Sequence, residues 1–266
     1  MNDEGAWVGL DIGSLTVKIV ALNGEGRRIF AKVVPSGRSG VQAAKALLAE
    51  VATQARFVVV TGYGRVCMED ADLEVSEITC HARGAKHLFD DVGTVIDVGG
   101  QDSKVLRIGP GGRVVQFAMN DRCAAGTGRF LEVMAHALDV AVADLDDLAA
   151  RASSPVAISS TCTVFAESEV VGHLASGRRV EDIVAGLLDG IAARVAGLAR
   201  QVGVQPRVVM TGGVALNRGI VSRLEALLGM PVVAPQECQI VGALGAALIG
   251  LEKSRDAWSG APLDFA

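Results

Sequence analysis

The sequence lacks the features that mark membrane, secreted and nucleic-acid-binding proteins. Its longest apolar stretch, 244–251, contains two glycines and is far too short to span a bilayer. The chain starts with Met-Asn-Asp-Glu, which is acidic where a secretory signal is basic and then apolar. A net charge of -5 leaves no electrostatic footprint for nucleic acid or anionic lipid. We therefore expect a cytoplasmic protein with neither a membrane nor a nucleic acid as partner.

The sequence also has no CxxC pair, and its five cysteines are odd in number and far apart. They lie at positions 67, 80, 123, 162 and 238. In a reducing cytosol this pattern argues against a disulfide framework. It leaves three interpretations open, namely buried thiols, a nucleophile, or metal ligands assembled from distant positions.

Two parts of the chain repeat the same order of strand, aspartate, glycine turn and strand. Asp11 follows an apolar run and begins Asp-Ile-Gly-Ser, with Lys18 on the next predicted strand. Asp97 begins Asp-Val-Gly-Gly, with Lys104 in the matching place. Strand-like apolar runs alternate with helical ones along the chain, which predicts an α/β fold. Because the unit occurs twice, we expect two similar halves that face each other across a cleft.

Three glycine turns follow predicted strands, and glycine lets phosphate oxygens approach backbone N–H groups closely. The candidate ATP-binding residues of the first two turns are Gly13, Ser14, Leu15, Thr16, Lys18, Gly99, Gly100 and Gln101. Those of the third turn, which is expected to lie against the adenosine, are Thr211, Gly212, Gly213, Val214 and Asn217. Asp11, Asp97 and Asp102 are the candidates to hold Mg²⁺ through its waters or to orient an attacking water. Neither a Walker A lysine loop nor a Rossmann GxGxxG is present, which disfavours P-loop and dinucleotide enzymes. One such turn alone would be an ordinary structural turn; together the three predict a nucleotide site.

The order Asp-x-Gly-Ser, Asp-x-Gly-Gly and Thr-Gly-Gly-Val resembles the sugar kinase, heat-shock 70 and actin ATPase superfamily. The resemblance implies two α/β lobes of ribonuclease-H-like topology that close on ATP or ADP with Mg²⁺. We place the first lobe at residues 1–90, with 251–266 packing back on it, and the second lobe at 91–250. Gln239 is expected to face the nucleotide base.

Cys123 and Cys162 each precede an apolar helical run, and we expect both at helix N-termini. There, backbone N–H groups and the helix dipole stabilise thiolates and bound anions, which suits an iron–sulfur cluster. Two cysteines are half of the four usual ligands, so a homodimer would supply the other pair and place the cluster on its two-fold axis. From the residues alone, two buried thiols remain an equally open interpretation.

A closer resemblance favours the cluster. The chain resembles the ATP-dependent activators of 2-hydroxyacyl-CoA dehydratases and the related ATPase subunits of benzoyl-CoA reductase. The matching segments are 9–14, 61–65, 80–82, 95–102, 120–130, 159–170, 210–215 and 242–247. In that family one [4Fe–4S] cluster is shared by a homodimer, and the matching ligands here are Cys123 and Cys162. Cys67, Cys80 and Cys238 match no ligand, and Pro235–Gln239 departs from the family pattern.

The resemblance implies an ATPase that drives electron transfer. A ferredoxin or flavodoxin would reduce the shared cluster, and ATP would drive a low-potential electron to a 2-hydroxyacyl-CoA dehydratase. A benzoyl-CoA reductase core or a double-cubane cluster reductase is an alternative acceptor. A small-molecule kinase of the same superfamily, with Asp102 as its base, is an alternative of another class. The four histidines are interpreted as structural.

Overall fold

The computed structural model describes residues 5–158 and 162–259, and of 256–259 it describes the helical backbone alone. The strands in these residues are β1 (Ala6–Ile12), β2 (Thr16–Leu22), β3 (Arg28–Pro35), β4 (Ala55–Thr61), β5 (Leu73–Glu74), β6 (Thr94–Val98), β7 (Ser103–Ile108), β8 (Val114–Asn120), β9 (Val208–Thr211) and β10 (Val232–Val233). The α-helices are α1 (Gly40–Ala49), α2 (Glu77–Leu88), α3 (Gly128–Ala137), α4 (Leu145–Ala150), α5 (Thr163–Ala175), α6 (Val180–Val202), α7 (Arg218–Leu228) and α8 (Val241–Ser259).

The chain divides into two compact units. Unit 1 comprises the described residues of the ranges 1–91, 110–114 and 239–266, and unit 2 those of 92–109 and 115–238. The sequence predicts that the chain returns to the first lobe at residue 251. In the structure it returns to unit 1 at Gln239, because α8 packs on α2, β1 and β4. Residues 260–266, also assigned to the first lobe, lie outside the described residues.

Unit 1 is a five-stranded sheet covered on both faces. The strand order is β3-β2-β1-β4-β5, with β1 antiparallel to β2 and parallel to β4. Val17 and Ile19 pack into the core under α1, whereas Val20 and Leu22 pack against α8, because successive side chains of a strand point to opposite faces. The backbone of α8 lies so close to its neighbours that residues at the contact must be small. A Cβ on Gly245 would lie 1.8 Å from the Cys80 carbonyl oxygen of α2.

Unit 2 repeats this sheet. Its order β10-β9-β6-β7-β8 is that of unit 1, with β6, β7, β8, β9 and β10 in the places of β1, β2, β3, β4 and β5. Its core is built around α6, whose buried residues Ile183, Leu187 and Ile191 recur with helical period. The predicted duplication and the α/β class are therefore confirmed. Among the described residues, no helix has the length and apolar composition needed to cross a membrane.

Candidate functional site

Asp11 is the centre of the candidate phosphate site of unit 1. It is buried near the end of β1, and its Oδ2 lies 3.1 Å from Nζ of Lys18, its direct partner on β2. The Gly13 N–H closes the intervening turn by donating to the Thr16 carbonyl at 3.1 Å. A Cβ on Gly13 would lie 2.9 Å from that same oxygen, so the turn needs glycine. The candidate residues placed on this turn are Gly13, Ser14, Leu15 and Thr16.

Unit 2 holds the equivalent pair, with a third charge added. Asp97 is the register partner of Lys104, and the Lys104 Nζ lies 3.5 Å from Asp97 Oδ2 and 2.6 Å from Asp102 Oδ2. The Gly99 N–H donates to the Asp102 carbonyl at 2.9 Å and closes the turn that contains Gly100 and Gln101. Lys104 is buried, and two carboxylates share this one ammonium group, so the cluster carries a net negative charge.

The third predicted turn lies beside Asp97. The Thr211 hydroxyl donates to Asp97 Oδ1 at 3.0 Å. Gly212 has a φ of +87°, and a Cβ there would lie 2.3 Å from the Val98 carbonyl oxygen and 2.8 Å from Asp97 Oδ1. The structure therefore brings the second and third glycine turns together in unit 2. Gly213 and Val214 lie in the short helical turn that follows.

The two remaining nucleotide candidates have different surroundings. The Asn217 Oδ1 accepts the Ile220 N–H at 2.9 Å as the N-cap of α7, so this side chain already serves the helix. Gln239 is half-buried in the helical turn Cys238–Ile240 that leads into α8, and it belongs to unit 1. Contact of either residue with a nucleotide stays a prediction.

The sequence reasoning missed one half of a repeated Thr-Gly pair. Thr61 is the register partner of Asp11, as Thr211 is of Asp97. Gly62 has a φ of +91°, and a Cβ there would lie 2.7 Å from Asp11 Oδ1, which repeats the position of Gly212 beside its aspartate. The signal was present in the sequence, because Thr-Gly directly follows an apolar strand in both halves.

His81 also lies close to Asp11, although the sequence analysis treated it as structural. It is buried on α2, and its Nε2 is 2.8 Å from the position that a Cβ on Gly242 would occupy. Asp11 Oδ2 lies 3.4 Å from the same position. Gly242 of α8 therefore leaves room for an imidazole and a carboxylate at the predicted phosphate site, and any larger residue would displace one of them.

Cys123 lies in a tightly held loop between β8 and α3. The Asn120 Nδ2 donates to its carbonyl at 2.8 Å, and the buried Thr127 hydroxyl donates to the Ala124 carbonyl at 2.6 Å. Cys123 itself is half-buried. It was expected at the helix N-terminus, but α3 begins five residues later at Gly128, because Gly126 turns the chain with a φ of +89°.

The Cys123 loop is hydrogen-bonded directly to the glycine turn that follows Asp97. The Gly128 N–H donates to the Gly99 carbonyl at 2.8 Å, and the Arg129 N–H donates to the Gly100 carbonyl at 2.8 Å. The buried Ser103 hydroxyl donates to the Gly126 carbonyl at 2.8 Å. The Gly99 and Gly100 carbonyls thus accept hydrogen bonds from N–H groups at the start of α3, which have no partner within the helix. The turn and the helix are therefore one hydrogen-bonded assembly.

Cys162 occupies the expected place at a helix N-terminus. It is the N-cap residue of α5, and its carbonyl accepts the Ala166 N–H at 2.9 Å. Cys162 is exposed, and so are Val164 and Phe165, at 67% and 68%. Residues 159–161, the start of the family-like segment, lie outside the described residues. The first turn of α5 contains no acidic residue, which suits an anion at this helix start.

The segment that leads towards Cys162 is anchored by Asp182 of α6. Its Oδ1 accepts the N–H groups of Ser153 and Ser154, each at 2.8 Å. These backbone hydrogen bonds hold the pKa of the Asp182 carboxyl below its ordinary value, and the bond from Ser154 has the larger effect on the pKa. The carboxylate is therefore charged at neutral pH and holds the backbone at Ser153 and Ser154.

The other three cysteines have the surroundings of ordinary thiols. Burial raises the pKa of Cys80 to about 12, and the Thr61 hydroxyl opposes this shift only in part. A thiol with that pKa is neutral at pH 7 and is a poor metal ligand. Cys238 is buried, and Cys67 is exposed in unit 1.

Two sheets of one topology, each with a buried aspartate–lysine pair and a Thr-Gly turn, have the fold of the sugar kinase, heat-shock 70 and actin type. A glucokinase of the ROK family from Streptomyces griseus, solved with glucose and AMPPNP, shares this fold with a TM-score of 0.60 at 14% identity, over 93% of this chain and 100% of that one. The chain belongs to the BadF/BadG/BcrA/BcrD ATPase family, whose family model matches residues 8–250.

The similarity to individual members extends over nearly the whole chain. The (R)-2-hydroxyglutaryl-CoA dehydratase activating ATPase of Acidaminococcus fermentans is 46% identical, over 93% of this chain and 97% of that protein. The 2-hydroxyisocaproyl-CoA dehydratase activator of Clostridioides difficile is 44% identical, over 94% and 96%. A benzoyl-CoA reductase subunit of Thauera aromatica is 33% identical, over 91% and 92%. The solved C. difficile activator with bound ADPNP superposes with a TM-score of 0.90 at 42% identity, over 98% and 100% of the two chains.

Proposed function

We propose that the protein is an ATP-dependent electron-transfer activator of a 2-hydroxyacyl-CoA dehydratase. In this proposal two copies share one [4Fe–4S] cluster, each through Cys123 and Cys162. A ferredoxin or flavodoxin reduces the cluster in the cytoplasm, and ATP with Mg²⁺ drives the electron to the dehydratase. The observation that carries the proposal is the hydrogen-bonded assembly of the Gly99–Asp102 turn with the Cys123 loop, because it links a candidate phosphate site to a candidate cluster ligand.

The residues around both cysteines fit an anionic cluster. Neither helix start carries a carboxylate in its first turn, and Cys162 is exposed and Cys123 half-buried, whereas Cys80 is buried. One chain offers two such thiols, so a four-ligand cluster requires a second copy. Val164 and Phe165 supply exposed apolar area beside Cys162, as a two-fold contact needs. When bound, the cluster would supply one-electron transfer.

The carboxylates of unit 2 fit a divalent cation. Asp97 and Asp102 present two negative charges to the single ammonium of Lys104, and Mg²⁺ prefers such hard oxygen ligands together with its own waters. Asp97 would hold the ion, while the more exposed Asp102 would orient the attacking water. A Cβ would lie 2.8 Å from Asp102 Oδ1 at Gly99 and 2.8 Å from Asp97 Oδ1 at Gly212, so both turns need glycine beside these carboxylates.

The same contacts supply the coupling. A phosphate that moves the Gly99–Asp102 turn also moves the carbonyls that hold the Gly128 and Arg129 N–H groups, and α3 follows with the Cys123 loop. A nucleotide shifts this assembly only as far as it binds the two arrangements with different affinity. The cysteine loop and the phosphate turn therefore change position together.

Ser103→Ala is expected to weaken this coupling without removing either site. The substitution deletes the hydroxyl that donates to the Gly126 carbonyl and leaves the two backbone bonds in place. Loss of one buried hydrogen bond of about 1 kcal/mol corresponds to roughly a fivefold smaller effect of ATP on the cluster. The measurement is the rate at which an iron chelator removes the cluster, with and without ATP.

Ser222→Ala provides the matched control, because the Ser222 hydroxyl also donates to a glycine carbonyl, that of Gly219, on α7. The control should respond to ATP as the wild type does. An unchanged ATP response in Ser103→Ala would contradict coupling through this contact.

The proposal as a whole is tested by iron, acid-labile sulfide and native mass of protein purified without oxygen. We expect about four iron and four sulfide per dimer. A monomer that stays metal-free after anaerobic reconstitution would overturn the proposal. Electron delivery from the loaded protein to a 2-hydroxyacyl-CoA dehydratase rather than to a benzoyl-CoA reductase core then separates the two acceptors that the relatives suggest.

A further inference from the structure

The two sheets end in equivalent edge strands that differ in how well their residues prevent pairing with another chain. β3 of unit 1 carries Arg28, Lys32 and Pro35, which are residues that keep a free edge from pairing with other chains. β8 occupies the same place in unit 2, and its sequence, Val-Val-Gln-Phe-Ala-Met-Asn, contains no charge and no proline. An edge of this composition is the kind that another protein covers.

β8 also exposes an apolar strip, which consists of Val115, Phe117 and Met119. These side chains are 53%, 51% and 39% exposed, and they lie on one face because they alternate along the strand. On the other face, the Gln116 Nε2 donates to the Gln201 carbonyl of α6. The β8 strip is thus turned away from α6, and contiguous exposed apolar residues of this kind mark an interaction site.

The position and charge of the β8 strip indicate what covers it. The strand ends at Asn120, whose side chain donates to the Cys123 carbonyl at 2.8 Å, so the strip ends beside the candidate cluster ligand. Arg113 and Arg122 are exposed at its two ends, and Asp121 is the one carboxylate between them. A cation at each end of an apolar strip is complementary to an apolar patch with an acidic rim.

We propose that the β8 strip is the docking surface for the electron carrier that reduces the cluster, a small protein with carboxylates around an apolar centre. This inference rests on the proposed function. Three apolar side chains suit the small interfaces of transient redox pairs. A second copy is disfavoured there, because antiparallel pairing centred on Phe117 would hold the two Asn120 residues about 20 Å apart, each beside its own Cys123.

The test compares two reductants of the oxidised cluster in stopped-flow kinetics. The carrier is reduced two-cluster ferredoxin, and the small reductant is Ti(III) citrate, which needs no protein contact. Phe117→Ser should lower the second-order rate constant with ferredoxin by about tenfold. Arg113→Glu should lower it by about fivefold at low salt and by less at high salt, because salt screens exposed charges. The rates with Ti(III) citrate should not change.

The equivalent edge of unit 1 provides matched controls. Ile29→Ser removes an apolar side chain of similar exposure, 48%, and Arg28→Glu reverses a charge at the start of β3. Both controls should behave as the wild type does with either reductant.

Three results would overturn the inference. Ferredoxin rates that stay at the wild-type value in both β8 variants would exclude this surface as the docking site. Loss of the dimer in Phe117→Ser would assign the strip to a second copy instead. Wild-type protein without iron would overturn the proposed function and this inference together, and it would be recognised before any carrier is added.

Discussion

Replacing Cys123 with serine is expected to remove the cluster. The wild-type value of about four iron per dimer should fall to background, because each copy contributes only two thiolates and the loss of one from each leaves a four-ligand cluster with half its ligands. The loop itself should persist, since the Asn120 and Thr127 side chains hold backbone carbonyls and do not depend on the thiol. Cys162→Ser should have the same effect.

Iron and acid-labile sulfide after anaerobic reconstitution provide the measurement, and Cys67→Ser provides the control. Cys67 is an exposed thiol of unit 1 and should be dispensable. Cys80→Ser is a second control, because the neutral, buried Cys80 thiol is no ligand in the proposal. A full complement of iron in Cys123→Ser would exclude this residue as a ligand and return it to the ordinary thiols.

Asp97→Asn is expected to abolish ATP turnover while leaving the cluster in place. The asparagine keeps an oxygen that can accept the Thr211 hydroxyl but loses the charge that faces Lys104. Without that charge the candidate Mg²⁺ site is neutral. Loss of a carboxylate that holds the ion or acts in the reaction is expected to lower kcat by about 10²- to 10⁴-fold. Asp11→Asn, the equivalent change in unit 1, should also reduce turnover.

Steady-state ATPase kinetics at saturating ATP and Mg²⁺ measure the effect, and the iron content of the same preparation shows whether the cluster survives. Asp147→Asn is the control, because Asp147 is an exposed carboxylate of α4 in the same unit. A kcat for Asp97→Asn close to that of the control would show that this carboxylate has no part in hydrolysis. Parallel loss of iron and turnover would instead indicate general damage to unit 2.

The repeated elements were predictable from the sequence because their chemistry is local. Asp11 and Asp97 are each the second-last residue of an apolar strand before a glycine turn, and antiparallel register then places Lys18 and Lys104 opposite them. The same reasoning applied to Thr-Gly would have found Thr61 as the equivalent of Thr211. Cys162 at the N-cap of α5 was likewise readable, since an apolar helical run starts directly after it.

The sequence by itself thus determined the α/β class, the duplicated halves and the family, whereas the roles of the candidate site residues stay predictions. Only the tertiary structure decided that α8 joins unit 1 and that the Gly99–Asp102 turn holds the start of α3. It also decided that β8, which has no charge and no proline, is the edge strand beside Cys123. The physical reason is the separation along the sequence of the residues that interact. Strand register and helix starts follow from neighbouring residues, whereas hydrogen bonds such as that from Ser103 to Gly126 depend on how distant segments meet.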